Sequence, residues 1–238
     1  MARWLACCAV SAILLSGCAS TVHGVAVPAT SALEILPTDD EISAVAGNTL
    51  STFGFRPFVG GAEILPDGFR TDADASPIGC AAVTDTAPRI VYERLPVLEA
   101  ARESYFNWDE GVDTSGADAA VIRLSTASAT GDAFESFARQ WQQCAGTTVV
   151  KHVLGTVVDA AISDVARRDG VVAATVRTQR QPGTATSRYE RAIGMRGNTI
   201  VEVSLAITPK GERQPDPQAA AVRIAKDMLD RSAAPARP

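Results

Sequence analysis

The alternation of apolar and polar positions is clearest between residues 147 and 208. Five segments there are rich in β-branched residues and are bounded by Gly, Asp or Pro, which is typical of short strands. They run over Thr147 to Val153, Val157 to Val165, Val171 to Thr178, Ser187 to Met195 and Thr199 to Thr208. Because the connections between them are short, these segments predict an antiparallel meander.

A two-residue turn at Gly197-Asn198 predicts the register of the last two segments. The expected cross-strand pairs are Ile193 with Glu202, Arg191 with Ser204 and Tyr189 with Ala206. Two earlier segments, Ala101 to Trp108 and Ala119 to Ser125, also predict strands, because a turn-forming region from Gly111 to Gly116 separates them.

Helical spacing appears in three further segments. Each begins with a capping signal, and the three signals are Thr38 with Glu41, Asp132 with Glu135, and Asp216-Pro217. Their apolar faces carry Ile42, Val45, Ala46 and Leu50; Phe134, Phe137, Trp141 and Cys144; and Val222, Ala225, Met228 and Leu229. A shorter helix is expected from Ala81 to Thr86. The predicted fold class is α+β, an antiparallel β-sheet packed with helices.

The first twenty residues have the pattern of a bacterial export signal. Arg3 precedes an uncharged apolar run from Trp4 to Leu15, and Leu15-Ser16-Gly17-Cys18 resembles a lipobox. The run is shorter than the roughly 20 apolar residues that span a bilayer. We therefore expect residues 1–17 to be removed and Cys18 to carry a diacylglycerol on the outer face of the cell membrane.

The segments after the lipobox divide into a tether, a domain and a tail. Residues 18–36 are small and uncharged until Glu34, which predicts a flexible tether. The domain is expected over residues 37–232, and residues 233–238 are expected to form a disordered tail.

Charge narrows the range of partners. The full chain has a formal net charge of −5, which becomes −6 when the leader leaves with Arg3. No stretch is rich enough in Lys and Arg to form a basic stripe, so nucleic acid is not an expected partner. The negative charge also disfavours adsorption to anionic lipid, so the expected membrane contact is the acyl chains on Cys18.

Cysteine usage favours a disulfide. Cys7 and Cys8 belong to the leader and Cys18 is committed to lipidation, which leaves Cys80 and Cys144. Two remaining cysteines in an oxidising compartment most often pair. A metal site and a catalytic thiol are the alternatives, although each would need a His or further Cys close by.

Catalytic and cofactor motifs are absent from the sequence. The two histidines are His23, in the expected tether, and His152, in an expected strand. There is no Ser-His-Asp triad, no Cys-His pair, no zinc-type cluster and no Gly-rich phosphate loop, so no cofactor or metal is expected. The alternation of Asp72 and Asp74 lacks the Gly and the distal Glu of a calcium loop.

Two ambiguous sets of side chains remain. The carboxylate pairs Asp39-Asp40 and Asp109-Glu110 could serve a hydrolase, but each lies where a helix start or a turn favours acidic residues for structural reasons. The large aromatic residues Tyr105, Trp108 and Trp141 could line a cavity, or they could fill the space between helix and sheet.

Several short motifs occur in an order that resembles one family. Pro77-Ile-Gly-Cys80 is followed by Phe137, Trp141 and Cys144 on one helix, and then by Arg191-Ala192 and Asn198-Thr-Ile-Val-Glu-Val. This order, behind a lipobox, resembles the PknH-like extracellular domain, the sensor domain of mycobacterial membrane Ser/Thr kinases that also occurs alone in lipoproteins. The resemblance covers roughly residues 33 to 232.

The resemblance implies an α/β sandwich with one disulfide, Cys80 to Cys144, and a cleft proposed to bind an unidentified ligand. A second disulfide of the family falls on Tyr189 and Ala206 and is missing here, which puts the shape of the nearby cleft in question. The expected function is a non-catalytic sensor-type domain that binds a small molecule, lipid or envelope component, with an envelope protein as a possible partner. A carrier or chaperone for envelope lipid or cell-wall fragments is the alternative, and a carboxylate hydrolase is a weaker third.

Overall fold

The protein was analysed as a computed structural model, which describes residues 30–211 and 218–233. A single antiparallel sheet of nine strands forms its centre, in the spatial order β1-β3-β4-β9-β8-β7-β6-β5-β2. The strands are β1 (Phe58–Gly60), β2 (Ala75–Ser76), β3 (Val97–Phe106), β4 (Thr114–Leu124), β5 (Thr148–Val153), β6 (Thr156–Arg168), β7 (Val171–Gln181), β8 (Thr186–Arg196) and β9 (Thr199–Ile207). The expected α+β class and its antiparallel sheet are confirmed.

The predicted meander corresponds to β5 through β9, which pair with their neighbours in chain order. All three cross-strand pairs expected around Gly197-Asn198 are present in the β8–β9 register. The hydrophobic alternation therefore determined both the strands and the face on which each side chain lies, because a slip of one residue would exchange the two faces.

Helices cover both faces of this sheet, which gives the sandwich two hydrophobic cores. The helices are α1 (Ala32–Ile35), α2 (Asp39–Ala46), α3 (Ala81–Thr84), α4 (Arg89–Tyr92), α5 (Ala127–Gln143) and α6 (Gln218–Ser232). Helix α5 and the short α3 and α4 supply one core through Phe134, Phe137, Trp141, Val83 and Tyr92. On the other face α1, α2 and α6 supply Ile35, Ile42, Ile224 and Met228.

Helix α2 begins as the sequence predicted. The Thr38 hydroxyl accepts a hydrogen bond from the Glu41 N–H, and the Glu41 carboxylate accepts one from the Thr38 N–H. These reciprocal bonds satisfy two donors that a helix start would otherwise leave unpaired. The helix ends at Gly47, whose φ of 81° is the left-handed conformation that glycine adopts without penalty.

The tether predicted from the sequence, residues 18–36, includes residues that belong to the folded domain. Residues Ala32–Ile35 form α1, which has its own capping box between Ser31 and Glu34. Ala32, Ile35 and Leu36 are buried in the core that α2 and α6 also line. The tether assignment is therefore wrong for residues 31–36, because apolar side chains in this stretch gain more from burial against the sheet than from remaining in water.

Helix α5 begins earlier than the Asp132 cap predicted. Its N-cap is Thr126, whose hydroxyl accepts a hydrogen bond from the Ala129 N–H. Asp132 therefore lies inside the helix, although the expected face with Phe134, Phe137 and Trp141 is buried as predicted. Gly131 lies inside the helix as well, and a helix tolerates an internal glycine at a cost of about 1 kcal/mol.

Several expectations fall outside the described residues. These are the leader 1–17, the lipobox cysteine Cys18, the first part of the tether, the cap Asp216-Pro217 and residues 234–238. The C-terminal helix itself is present as α6, and Ala225, Met228 and Leu229 are buried on its apolar face.

Candidate functional site

A fully buried ion pair lies on the α5 face of the sheet, between β8 and β9. Nη2 of Arg191 is 2.8 Å from Oε2 of Glu202, and the two side chains are 0 % and 2 % exposed. The guanidinium also donates to the carbonyl oxygens of Val83 and Asp85, at 3.0 and 2.7 Å, and to the hydroxyl of Thr86. Arg191 therefore holds the segment after α3 against the sheet.

Glu202 extends this network toward α4. Its carboxylate accepts hydrogen bonds from the Ala87 N–H at 3.0 Å and from the Tyr92 hydroxyl. Burial, and then the charge of Glu202, raise the pKa of Tyr92 well above its usual value, so the phenol remains a donor. Residues 83–92 are thus fixed by polar bonds as well as by packing.

Arg191 and Glu202 were named from the sequence only in the hairpin register and in the family motif, and no buried pair was predicted between them. The signal was present in the predicted hairpin, where Arg191 is opposite Ser204 and Ile193 is opposite Glu202. Positions related in this way are diagonal neighbours on one face of the sheet, within reach of long side chains. Opposite charges there, among apolar neighbours, indicate a buried pair.

A cleft of about 520 Å³ opens on the sheet beside the segment that Arg191 holds. Its floor comes from strands β4 through β9, and its wall comes from Thr84, Asp85 and Thr86. Its volume is within the range of small-molecule sites. The other lining residues are Asp118, Lys151, Val153, Thr156, Val158, Thr178, Arg180, Ala185, Ser187, Tyr189 and Ser204.

Lys151 is the most buried charged side chain of the cleft. Its Nζ lies 3.0 and 3.1 Å from the two carboxylate oxygens of Asp85. The ammonium also lies 5.3 Å from the ring centroid of Phe69, a cation–π contact. These contacts fix a positive charge at the wall of the cleft, 66 residues in sequence from its carboxylate partner.

Tyr189 supplies a protonated phenol to the same cleft. Burial, and then the charges of Asp118 and Asp85, raise its pKa above 10.0. The Tyr189 hydroxyl is therefore a hydrogen-bond donor or acceptor at neutral pH rather than a base. Asp118 in turn accepts a hydrogen bond of 2.6 Å from the Ser104 hydroxyl.

One of the two positions that the sequence resemblance assigned to a second disulfide, Tyr189, lies at this cleft. Tyr189 and Ala206 are direct partners across β8 and β9, and the Tyr189 ring lines the cleft. A cystine there would replace the phenol by a small apolar link. In this chain the strand register at Tyr189 and Ala206 is regular, and Tyr189 gives the cleft a phenol.

The structure resolves the alternatives left open for the cysteines. Cys80 and Cys144 form a disulfide that links the 3-10 turn Ile78–Cys80 to the end of α5. Both residues are buried beside Phe137 and Trp141. Among residues 30–211 and 218–233, no three His, Cys, Asp or Glu side chains are grouped as a metal site would need.

The other candidate residues lie apart from the cleft. His152 is exposed on β5, and Asp74 accepts hydrogen bonds from the Arg70 and Thr71 N–H groups, which lower its pKa. The carboxylate of Asp72 accepts from the Ile78 N–H, so both aspartates stabilise a loop. Asp39 accepts from Ser51 and Thr52 at the start of α2.

The aromatic residues separate into two environments. Tyr105 and Trp141 are fully buried, each in a different core, as filling between helix and sheet requires. Trp108 fills neither a cavity nor a core, since 71 % of it is exposed.

The fold and the cleft define an α+β domain with a cleft over an antiparallel sheet, and comparison with known proteins identifies the family. The model of the PknH-like extracellular domain matches residues 27–231. The chain therefore belongs to the PknH-like extracellular domain family. This membership indicates an extracytoplasmic location.

One solved structure has the same fold. The extracellular domain of PknH from Mycobacterium tuberculosis matches with a TM-score of 0.70 at 17 % identity, over 87 % of this chain and 98 % of that one. An uncharacterised protein from Mycobacterium smegmatis matches with a TM-score of 0.40 at 12 % identity, over 74 % of this chain and 86 % of that one. Comparison with curated proteins gives no match.

Within residues 30–211 and 218–233, no helix is both long enough and apolar enough to cross a bilayer.

Proposed function

We propose that this chain is a lipid-anchored extracytoplasmic domain of sensor type that binds a small polar ligand in the cleft and does not transform it. The observation that carries the proposal is the cleft itself, whose wall is fixed by the buried Arg191–Glu202 pair and whose Lys151, Asp85 and Asp118 side chains already have partners. A site held rigid before the ligand arrives loses little conformational entropy on binding.

The lining favours one chemical class of ligand. Hydroxyl groups dominate it, and charges of both signs face it from Lys151, Arg180, Asp85 and Asp118. Such a surface suits a polyhydroxylated or zwitterionic molecule, because each polar group of the ligand can find a donor or an acceptor. The hydroxyls belong to Thr84, Thr86, Thr156, Thr178, Ser187, Tyr189 and Ser204.

Anchoring through Cys18 is the second part of the proposal. Its support is the lipobox pattern, which places Cys18 twelve residues before Thr30, the first described residue. Cys18→Ala is expected to move the protein from the membrane fraction to the soluble fraction. A mature wild-type N-terminus at another residue, or one without a diacylglycerol mass increment, would contradict it.

Native mass spectrometry of protein purified from a mycobacterial host tests the binding part. We expect a polar ligand to be retained by wild type and to be lost in Lys151→Met, since loss of a hydrogen bond to a charged group weakens binding by on the order of 10- to 100-fold. Lys226→Met is the matched control, because it breaks the exposed Lys226–Asp169 pair far from the cleft. Unfolding curves of both variants would show whether Lys151→Met acts on the ligand or on the fold.

Two outcomes would contradict this proposal, and each would favour a different function. Retention of lipid would indicate a carrier, for which a continuous apolar cavity is needed. Turnover of an envelope compound that is lost on Asp85→Asn or Asp118→Asn, with the fold intact, would indicate an enzyme.

A further inference from the structure

Four aromatic residues lie in two neighbouring segments, the loop 53–55 and the chain at the end of β3; three of them are exposed and Phe106 is half-buried. Phe53, Phe55, Phe106 and Trp108 make up this aromatic cluster. The rings of Phe53 and Trp108 stack with centroids 4.3 Å apart, and those of Phe106 and Trp108 with centroids 5.9 Å apart. Phe55 is 65 % exposed and Trp108 is 71 % exposed. Large aromatic residues left in water together indicate an interaction surface.

The backbone beneath the aromatic cluster is strained. Phe53 has a φ of 51°, in the left-handed region that bulky residues rarely adopt. The turn is held by a hydrogen bond from the Phe53 N–H to the Ser51 hydroxyl and by the bridge between Ser51 and Phe106. Asn or Gly would occupy this position with less strain, so the fold gains nothing locally from an aromatic side chain here.

The incoming chain passes close to the aromatic cluster. The Tyr105 hydroxyl donates to the Pro37 carbonyl at 2.5 Å, which fixes the segment before α2 beside the end of β3. Phe106 and Trp108 follow directly on that strand. An anchor on the N-terminal side of the chain therefore keeps the end of β3, and the aromatic cluster with it, close to the point of anchoring.

We propose that the aromatic cluster docks into the interface of the membrane that carries the anchor. This rests on the proposed lipidation of Cys18. Twelve residues reach at most about 43 Å, and a strand of thirteen residues such as β6 is about as long, so the anchor keeps the domain within one domain length of the lipid. At that distance the insertion of side chains into lipid is an intramolecular step, so weak insertion suffices. Trp is enriched at the headgroup level, and Trp and Phe form the apolar face of segments that bind the membrane interface.

Charges around the aromatic cluster favour neutral lipid. Arg56 follows Phe55 in the sequence, Asp109 and Glu110 follow Trp108, and Arg102 lies on β3, the strand that ends at Phe106, 4.1 Å from the Phe58 ring centroid. The two signs balance, so apolar contact rather than attraction to anionic headgroups drives the docking. Phosphatidylcholine should therefore support docking at least as well as phosphatidylglycerol.

Tryptophan fluorescence gives a direct test. The chain has three tryptophans, of which Trp4 leaves with the leader and Trp141 is fully buried, so Trp108 is the one that lipid can reach. The mature chain from Cys18 has one free thiol, because Cys80 and Cys144 are paired. Coupling this thiol to maleimide-lipid vesicles supplies the anchor whether or not cells acylate Cys18. We expect brominated phosphatidylcholine to quench Trp108 emission.

Variants separate docking from folding. Phe53→Asn with Phe55→Ser removes two rings and relieves the strained turn, so stability is expected to be unchanged or higher while the docked-to-free ratio falls by on the order of tenfold. Leu98→Ser is the matched control, since Leu98 is 64 % exposed on β3 but outside the aromatic cluster. Its quenching should equal that of wild type.

Other results would overturn the proposal. Unquenched Trp108 in the tethered wild type, or equal quenching in all variants, would exclude insertion even if mass spectrometry shows acylated Cys18 in cells. A blue shift of Trp108 that depends on protein concentration and not on lipid would assign the surface to contact between proteins. If Cys18 is not acylated in cells but the tethered chain is quenched, the anchoring proposal fails and the docking surface stands.

Discussion

At the scale of single residues, Arg191 and Glu202 carry the largest energetic consequences. A buried ion pair gains less than its Coulomb energy suggests, because both charges lose their hydration. Removing one partner is a different matter, since the other charge then remains buried and unpaired. Here the carboxylate would keep only the Ala87 N–H and the Tyr92 hydroxyl as donors.

Arg191→Met is therefore expected to lower the free energy of unfolding by about 3–5 kcal/mol. The matched control is Arg196→Met, which breaks the exposed Arg196–Asp230 pair and is expected to change stability by less than about 1 kcal/mol. Chemical denaturation measures both. The double variant Arg191→Met with Glu202→Leu should recover much of the loss, and failure to do so would indicate that the hydrogen bonds to Val83 and Asp85 matter more than the charge pair.

The tyrosines predict a pH dependence. All three in the chain have a raised pKa: burial is the main cause, with Glu202 acting on Tyr92, Glu103 on Tyr105 and Asp118 on Tyr189. In the folded protein these pKa values lie above the value of 10.0 in the unfolded chain. The protonated phenols therefore contribute to the free energy of unfolding below pH 10, and this contribution is lost as pH rises beyond it. Absorbance at 295 nm should show phenolate only together with unfolding, whereas urea-unfolded protein should titrate near pH 10. Reversible ionisation of folded protein at pH 10 would contradict the assignment.

At the scale of elements, α1 shows that the domain begins before residue 37. Ile35 is buried between the sheet and α6, while Leu33 on the same turn is half exposed. Ile35→Ala is expected to reduce the free energy of unfolding by about 2–5 kcal/mol, and Leu33→Ala by about 0.5 kcal/mol or less. Thermal unfolding of the two variants measures the difference. Equal effects would show that this segment belongs to the tether and not to the folded domain.

The sequence predicted the long elements well, because their signals are local. Strands β5 through β9 follow from the alternation of side chains, and the β8–β9 register follows from the Gly197-Asn198 turn. Helix α1 was missed although Ser31 and Glu34 have the spacing of a capping box, because a single turn has too few residues for a periodic pattern. The edge strands β1 and β2 were missed since pairing with β3 and β5, rather than their own composition, determines them.

The candidate site was less accessible to sequence analysis. Arg191 and Glu202 are neighbours through a hairpin, so their contact could be derived from the register. Lys151 and Asp85 are brought together by the path of the whole chain across the sheet, and no local pattern encodes that. The same holds for the stack of Phe53 on Trp108, which joins a loop to the end of β3.

At the scale of the whole molecule, the Cys80–Cys144 disulfide closes a loop over a sequence separation of 64 residues. The loop contains α3, α4, β3, β4 and all of α5, and therefore includes the wall of the cleft. Constraining an unfolded loop of this length stabilises a fold by about 4 kcal/mol in the chain-entropy model.

Cys80→Ser with Cys144→Ser is accordingly expected to lower the free energy of unfolding by about 2–4 kcal/mol. Non-reducing peptide mapping of wild type should recover the crosslinked peptides, and denaturation of the double variant measures the loss. Two thiols that alkylate in freshly exported native protein would show that the bond does not form in the cell.

The contact between the first and last helices has a consequence for how this domain is built into larger proteins. Arg231 on α6 donates to the Ile35 carbonyl at 2.9 Å and pairs with Glu41 at 2.6 Å, so the chain enters and leaves the domain at one place. A unit with adjacent ends can be inserted into, or appended to, another polypeptide without forcing its neighbours apart. Gene fusion can therefore place such a domain in a different polypeptide, where its binding surfaces keep the same geometry.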